Sequence, residues 1–280
     1  MKRSIPLLVV FQCLLLVVFG QDTSIHYGNN PAVGKYYAVR GFKMYCETYG
    51  QGQPLLIIHG NGGSIADFAN NIPYFSKKYK VIVADNRAQG KSSDPTDSLS
   101  YEMMADDFST LLDSMRLDSA LVIGWSDGGI NGLLLAIRHP EKVRKLAVTG
   151  ANCWPDTSAV AADVIDLVLP YYKLLKGKPV KTAAEKAQWK LIRLLIEEPH
   201  ISLADLHRIA CPALIIGGDH DVIRPEHTML IANNISKSYL WILPNSGHST
   251  PIFYKDAFNA NVDDFFSKPY RTIQKQARLQ

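Results

Sequence analysis

Three side chains of this 280-residue chain carry the chemistry, and their order along it is as informative as their types. Ser126 sits at the centre of Gly124-Trp125-Ser126-Asp127-Gly128, a G-x-S-x-G pattern. The apolar run Leu121-Val122-Ile123 precedes it, and an amphipathic stretch opening on Gly128-Gly129-Ile130 follows. A strand turning sharply into a helix needs small residues around the turn, and it leaves the serine hydroxyl exposed at the apex. A serine hydroxyl is a weak nucleophile at neutral pH, so it needs a base, and the base needs a carboxylate to orient it. Candidates follow in chain order. Asp219-His220-Asp221 lies past the apolar run 214–216, and Gly247-His248 lies past the run 240–243. His248 is the candidate base. Asp221, with Pro225 four residues on, is preferred as its partner over Asp219, which suits a hydrogen bond to loop backbone.

Negative charge developing on a carbonyl oxygen needs backbone donors. The Asp127 amide, next to the serine and at a helix N-terminus, is one. His59-Gly60-Asn61-Gly62-Gly63 follows the apolar run 55–58, and Asn61 is the best second donor there. His59 reads as a buttress of that loop. The Asp127 carboxylate has two open roles, pairing with a substrate ammonium or complementing its own helix N-terminus. Trp125 and Asp127 are the candidate substrate contacts. Asp219, His220, Asp221 and His227 lack a recognisable ligand spacing, so no metal is expected.

The elements that must hold these groups alternate. β-like runs at 36–39, 42–49, 55–58, 81–84, 120–124, 146–149, 213–217 and 239–243 are interleaved with helical patterns at 66–75, 101–115, 127–138, 226–233 and 252–266. Short, continuously apolar strands between helices indicate a mostly parallel sheet buried on both faces. A helix-rich insertion at about 156–206, with helices expected at 164–175 and 183–196 and Pro170, Gly177 and Pro179 as breakers, interrupts the alternation. Residues 22–33 and the tail from Lys268 read as mobile.

Apolar residues make up 47% and charged residues 20% of the chain, enough apolar content for a substantial core. The net charge of +4 forms no basic stripe with interleaved aromatics, so nucleic acid is not an expected partner. Lys2-Arg3, an apolar run over 5–19 and Gly20 form the order of a secretory signal. The expectation is a cleaved signal at 1–20, a mature domain at 21–280 without a stable membrane span, and a periplasmic or secreted location. Cys46, Cys153 and Cys211 would remain; an odd count leaves no complete disulfide framework, and they read as small buried hydrophobes.

These motifs, in this order, resemble the α/β-hydrolase superfamily. The matching pieces are His59-Gly60, Asp85-Asn86-Arg87 with Gly90 and Ser92, the Ser126 turn, Gly218 to Asp221 with Pro225, and Gly247-His248. The resemblance implies an eight-stranded, mostly parallel α/β-hydrolase sheet with helices on both faces and a helical cap from the insertion. Ala88 stands where that family commonly has glycine. Gly124 to Ile130, Gly150-Ala151-Asn152 and Cys211 to Ile215 are similar to the biphenyl-hydrolase-like proteins. That likeness implies a role for Asp127 in gripping a substrate α-amino group. The expected activity is hydrolysis of a small-molecule carboxylic ester, an amino-acid ester or small amide included, through an acyl-enzyme and with no cofactor. Carbon–carbon bond hydrolysis or cofactor-free perhydrolysis on the same three residues is the alternative; a non-catalytic ligand-binding protein would be expected to lack one of them.

Overall fold

The structure is a computed structural model and describes residues 25–272; the expected export signal lies outside the described residues. Eight strands form one sheet: β1 (Gly34–Val39), β2 (Phe42–Tyr49), β3 (Gln53–Ile58), β4 (Tyr79–Ala84), β5 (Ala120–Trp125), β6 (Val143–Thr149), β7 (Ala213–Gly218) and β8 (Ser238–Leu243). Their spatial order is β1-β2-β4-β3-β5-β6-β7-β8, and every pairing from β4 to β8 is parallel, while β2 is antiparallel to both its neighbours. The continuous apolar runs follow from burial on both faces. Leu56, Ile58, Ile82, Val122, Leu146 and Val148 enter one core, whereas Leu55, Ile57, Val81, Val83, Leu121 and Ile123 enter the other. Alternation along each strand therefore separates two apolar layers rather than apolar from polar.

Helices α1 (Ile72–Phe75), α2 (Tyr101–Ser114) and α3 (Asp127–Arg138) belong to the first half of the sheet. Between β6 and β7 come α4 (Ala162–Lys176), α5 (Ala183–Glu197) and the short α6 (Leu203–Leu206); α7 (Pro225–Asn233), α8 (Thr250–Phe253) and α9 (Lys255–Ser267) complete the chain. The α2 and α3 side supplies Phe108, Leu111, Leu133 and Ile137 to one core, and α9 supplies Phe258, Val262 and Phe265 to the other.

Several local expectations are corrected. The helix expected over 66–75 is a 3₁₀ turn, Ile65–Phe68, followed by α1. Ser64 and Asp67 close a capping box on the first piece, and Pro73, which has no N–H to donate, opens the second. Asn71 fixes the break, its Nδ2 donating to Pro251 O and Asn259 Oδ1. The helix expected over 252–266 is likewise divided at Tyr254, with α8 and α9 on either side. Pro170 does not end its helix: α4 runs through it, and the carbonyl it leaves without a donor belongs to exposed Asp166.

Residues 25–33 are tied down rather than loose. The Glu47 carboxylate, on a fully buried residue, accepts from the amides of Gly28 and Asn30 and from the Tyr45 and Tyr49 hydroxyls. Beyond Lys268, Tyr270 stacks on Tyr239. Among the described residues no helix is long and apolar enough to cross a membrane. Cys46 and Cys153 are buried free thiols, and Cys211 is a half-buried one.

The turn between β5 and α3 depends on close packing. A Cβ on Gly128 would lie 2.1 Å from Ile58 O, and one on Gly124 would lie 2.1 Å from Gly128 O. Both obstacles are backbone, so no rotamer relieves them. Gly128→Ala is expected to destabilise the fold by roughly 3 kcal/mol, read as a lower urea midpoint; an unchanged midpoint would contradict this packing.

Candidate active site

Ser126 follows β5 and precedes α3 with φ 57° and ψ −123°. A non-glycine residue rarely takes this backbone conformation, and the surrounding bonds hold it there. Its amide donates to Thr149 O at 2.9 Å, and its carbonyl accepts from the amides of Gly129 and Ile130. The strained turn lifts the hydroxyl off the end of the sheet.

His248, on the loop after β8, places Nε2 2.9 Å from Ser126 Oγ. Its Nδ1 lies 2.6 Å from Asp221 Oδ1, on the loop after β7. A carboxylate can only accept when ionised, so Nδ1 carries the proton and Nε2 is left to accept from the serine hydroxyl. The Asp221 side chain is fully buried and is further held by the Ile223 amide at 3.1 Å. The structure thus brings Ser126, His248 and Asp221 into one hydrogen-bonded line, although 122 positions separate the serine from the histidine. Such a line can draw a proton from the serine as it attacks and keep the resulting imidazolium paired.

The rival acid lies elsewhere. Asp219 is exposed, and its Oδ1 accepts from the Ser246 amide at 3.0 Å. Hydrogen bonds from the loop backbone, Asn245 foremost, pull its carboxyl below the usual range. His227 is turned away from this cluster: its Nε2 accepts from the Cys153 amide, and burial lowers its pKa to about 4.

On the opposite side of Ser126 lies the loop after β3. A Cβ on Gly60 would come within 3.1 Å of Ser126 Cβ, so glycine lets this backbone approach the nucleophile. The Gly62 amide is taken by Gln89 Oε1 at 2.7 Å and the Gly63 amide by Gly60 O. His59 is buried beneath: its Nε2 accepts from the Asn86 amide, its Nδ1 donates to Gly60 O, and burial lowers its pKa. That is a buttress. Ala88, where glycine is common in the resembled family, has φ 63°, a conformation that glycine adopts without strain.

The two candidate substrate contacts are both buried among protein partners. Trp125 is only 8% exposed; its ring packs edge-on against Phe68, and its indole N–H donates to His248 O at 2.8 Å. As the last residue of β5 it points into the core beside Phe68 and supports the histidine. The Asp127 carboxylate is 1% exposed, and its Oδ2 accepts from Asn61 Nδ2 at 2.8 Å. The same Asn61 amide donates to Leu191 O, a carbonyl of α5, at 3.2 Å. Tyr101, the first residue of α2, adds its phenol to the Asp127 surroundings. The carboxylate therefore faces protein donors.

Burial raises the Asp127 carboxyl to about 6 despite the Asn61 and Tyr101 hydrogen bonds, which pull the other way. The folded state then binds a proton more readily than the unfolded chain, so stability from this group is gained as pH falls through 6 and lost as pH rises. Asp127→Asn is expected to melt at a higher temperature than wild type at pH 7.5, by the equivalent of about 1–3 kcal/mol. The difference should shrink through pH 6 and vanish only below about pH 3.8, where both states bind the proton. A wild type more stable than the variant at pH 8 would refute it.

Four further groups at the site were not marked out by the sequence. Gly150, at φ 65°, lies under the imidazole: a Cβ there would be 2.7 Å from His248 Cε1. Gln89 and Tyr101 are the others on the core, and the Leu191 carbonyl is the fourth. Gly150 and Gln89 sit in short motifs after strands, which is a usable signal. Tyr101 and Leu191 give none, because only the three-dimensional packing brings them here.

A sequence profile described as the alpha/beta hydrolase fold matches residues 53–198. Serine hydrolase BPHL of Homo sapiens is 28% identical over 246 residues, covering 81% of this chain and 84% of that protein. The 2-hydroxymuconate semialdehyde hydrolase of a Pseudomonas species is 27% identical over 271 residues, covering 86% and 96%. The enol-lactonase of Burkholderia xenovorans LB400 superposes with a TM-score of 0.69 at 22% identity, covering 84% of this chain and 100% of that one. With more than half of its length matched, this chain belongs to the alpha/beta hydrolase fold family and is a hydrolase.

Proposed function

We propose that the enzyme hydrolyses a carboxylic ester through an acyl-enzyme on Ser126. The observation that supports this is the continuous contact from Asp221 Oδ1 through His248 to Ser126 Oγ, at 2.6 and 2.9 Å. In this reading His248 Nε2 takes the hydroxyl proton as Oγ attacks the carbonyl carbon, and the backbone amides of Asp127 and Asn61 stabilise the oxyanion. Collapse of the tetrahedral adduct breaks the ester C–O bond, and the leaving alkoxide receives the proton from His248. Water, deprotonated by the same histidine, then attacks the acyl carbonyl; the acid leaves and the proton returns to Ser126. Asp221 holds the imidazole in one tautomer throughout. The insertion between β6 and β7 caps the site in this proposal, with Asn61 as its point of attachment to the loop.

The engaged Asp127 carboxylate favours simple acyl esters over amino-acid esters as substrates. A panel of p-nitrophenyl acyl esters, the matching α-aminoacyl esters and a vinylogous diketone tests this. Turnover of the simple esters is expected without any gain from an α-ammonium group. Strict dependence on that group, lost in Asp127→Asn, would reverse the assignment; cleavage of the diketone alone would replace ester hydrolysis with carbon–carbon cleavage.

A further inference from the structure

Helix α4 has two apolar faces, and only one of them is covered. Tyr172 and Leu175 pack inward against Ile192 of α5. On the outer side Leu167, Pro170 and Leu174, spaced three and four residues apart, form an exposed stripe, with Leu167 60% and Leu174 56% exposed. The turn that follows carries Val180, which at 81% is the most exposed of the large hydrophobic residues described. A surface helix ordinarily turns a polar face to water. The other exposed large hydrophobics, such as Tyr36, Met229 and Phe253, are scattered singly over different elements, which needs no explanation.

Charge is distributed unevenly along the same segment. Lys173, Lys176, Lys178 and Lys181 surround Leu174 and Val180, while Asp163 and Asp166 lie at the far end of α4. Glu185 pairs with Lys178, and Lys181 sits over the Trp189 ring at 5.1 Å, so the lysine stems are held close to the turn. We propose that the α4–α5 turn docks on an anionic lipid surface, with Leu174 and Val180 entering the headgroup region and the lysines meeting lipid phosphates. Apolar residues flanked by lysines are what such an interface binds. A second copy of the chain fits less well, because a two-fold contact through this turn would set the lysines against themselves. The docking is independent of which bond is cleaved at Ser126.

The test uses the full chain with Val180→Cys carrying an environment-sensitive fluorophore, and Lys77→Cys, exposed just before β4, as its counterpart. Vesicles of phosphatidylglycerol are expected to shift the position-180 emission to the blue, phosphatidylcholine vesicles are not, and the position-77 probe should stay unchanged. An apolar N-terminal anchor alone would bring the chain to vesicles without moving the position-180 signal, which would overturn the proposal. Lys173→Glu/Lys178→Glu/Lys181→Glu should weaken partitioning into anionic vesicles by about tenfold or more. Leu174→Ser/Val180→Ser should do the same while soluble-ester turnover is kept, so lost binding is not lost folding. Unchanged partitioning in either variant, or loss of self-association with no change at the vesicle, would also overturn it.

Discussion

Ser126→Ala is expected to lose all labelling by a fluorophosphonate and to lower kcat by about 10⁴–10⁶. Oγ faces His248 Nε2 at 2.9 Å and stands beside the glycine-lined loop after β3. Alanine keeps the methylene and removes only the attacking oxygen, so substrate binding should change little. The backbone at 126 remains strained in the variant, which makes a folding control necessary. Ser126→Gly supplies one: with no Cβ to oppose φ 57°, it should be inactive yet more stable than Ser126→Ala by about 1 kcal/mol. Equal labelling of wild type and Ser126→Ala would remove Ser126 as the nucleophile, whatever the folding data show.

Asp221→Asn should be nearly as damaging, with kcat lower by roughly 10⁴. An asparagine amide facing Nδ1 would donate where the carboxylate accepts, moving the imidazole proton to Nε2. That nitrogen then cannot accept from Ser126. Asp219→Asn is the paired comparison. Asp219 accepts from the Asn245 and Ser246 backbone on an exposed loop, an acceptor role that asparagine preserves, so turnover should stay within about threefold of wild type. Steady-state kinetics on one soluble ester distinguish them, and the reverse ranking would transfer the orienting role to Asp219.

Strand count and the place of the nucleophile were legible because each leaves a local mark. Apolar runs such as Leu55 to Ile58 read as strands buried on both faces, and the glycines around Ser126 report a turn that tolerates no extra atoms. His248 and Asp221 were legible from their positions just after strands. What stayed hidden is what distant packing decides. The break at Asn71 depends on Pro251 and Asn259, about 180 residues away. The orientation of the Asp127 carboxylate depends on Asn61 and Tyr101, so a motif that fixes its backbone says nothing of where its oxygens point. Trp125 alternates off β5 into the core, which strand periodicity allows but a motif centred on its neighbour obscures.

The Asn61 amide has two hydrogens, and the structure commits one to each side: Asp127 beside the nucleophile, Leu191 in the insertion. For enzyme redesign this means that the insertion is not a freely exchangeable module. A graft that removes or displaces the Leu191 carbonyl frees half of an amide whose own backbone sits in the loop facing Ser126. Chimaeras made to change which esters are accepted should therefore lose turnover along with selectivity, unless the graft supplies an acceptor at the same point.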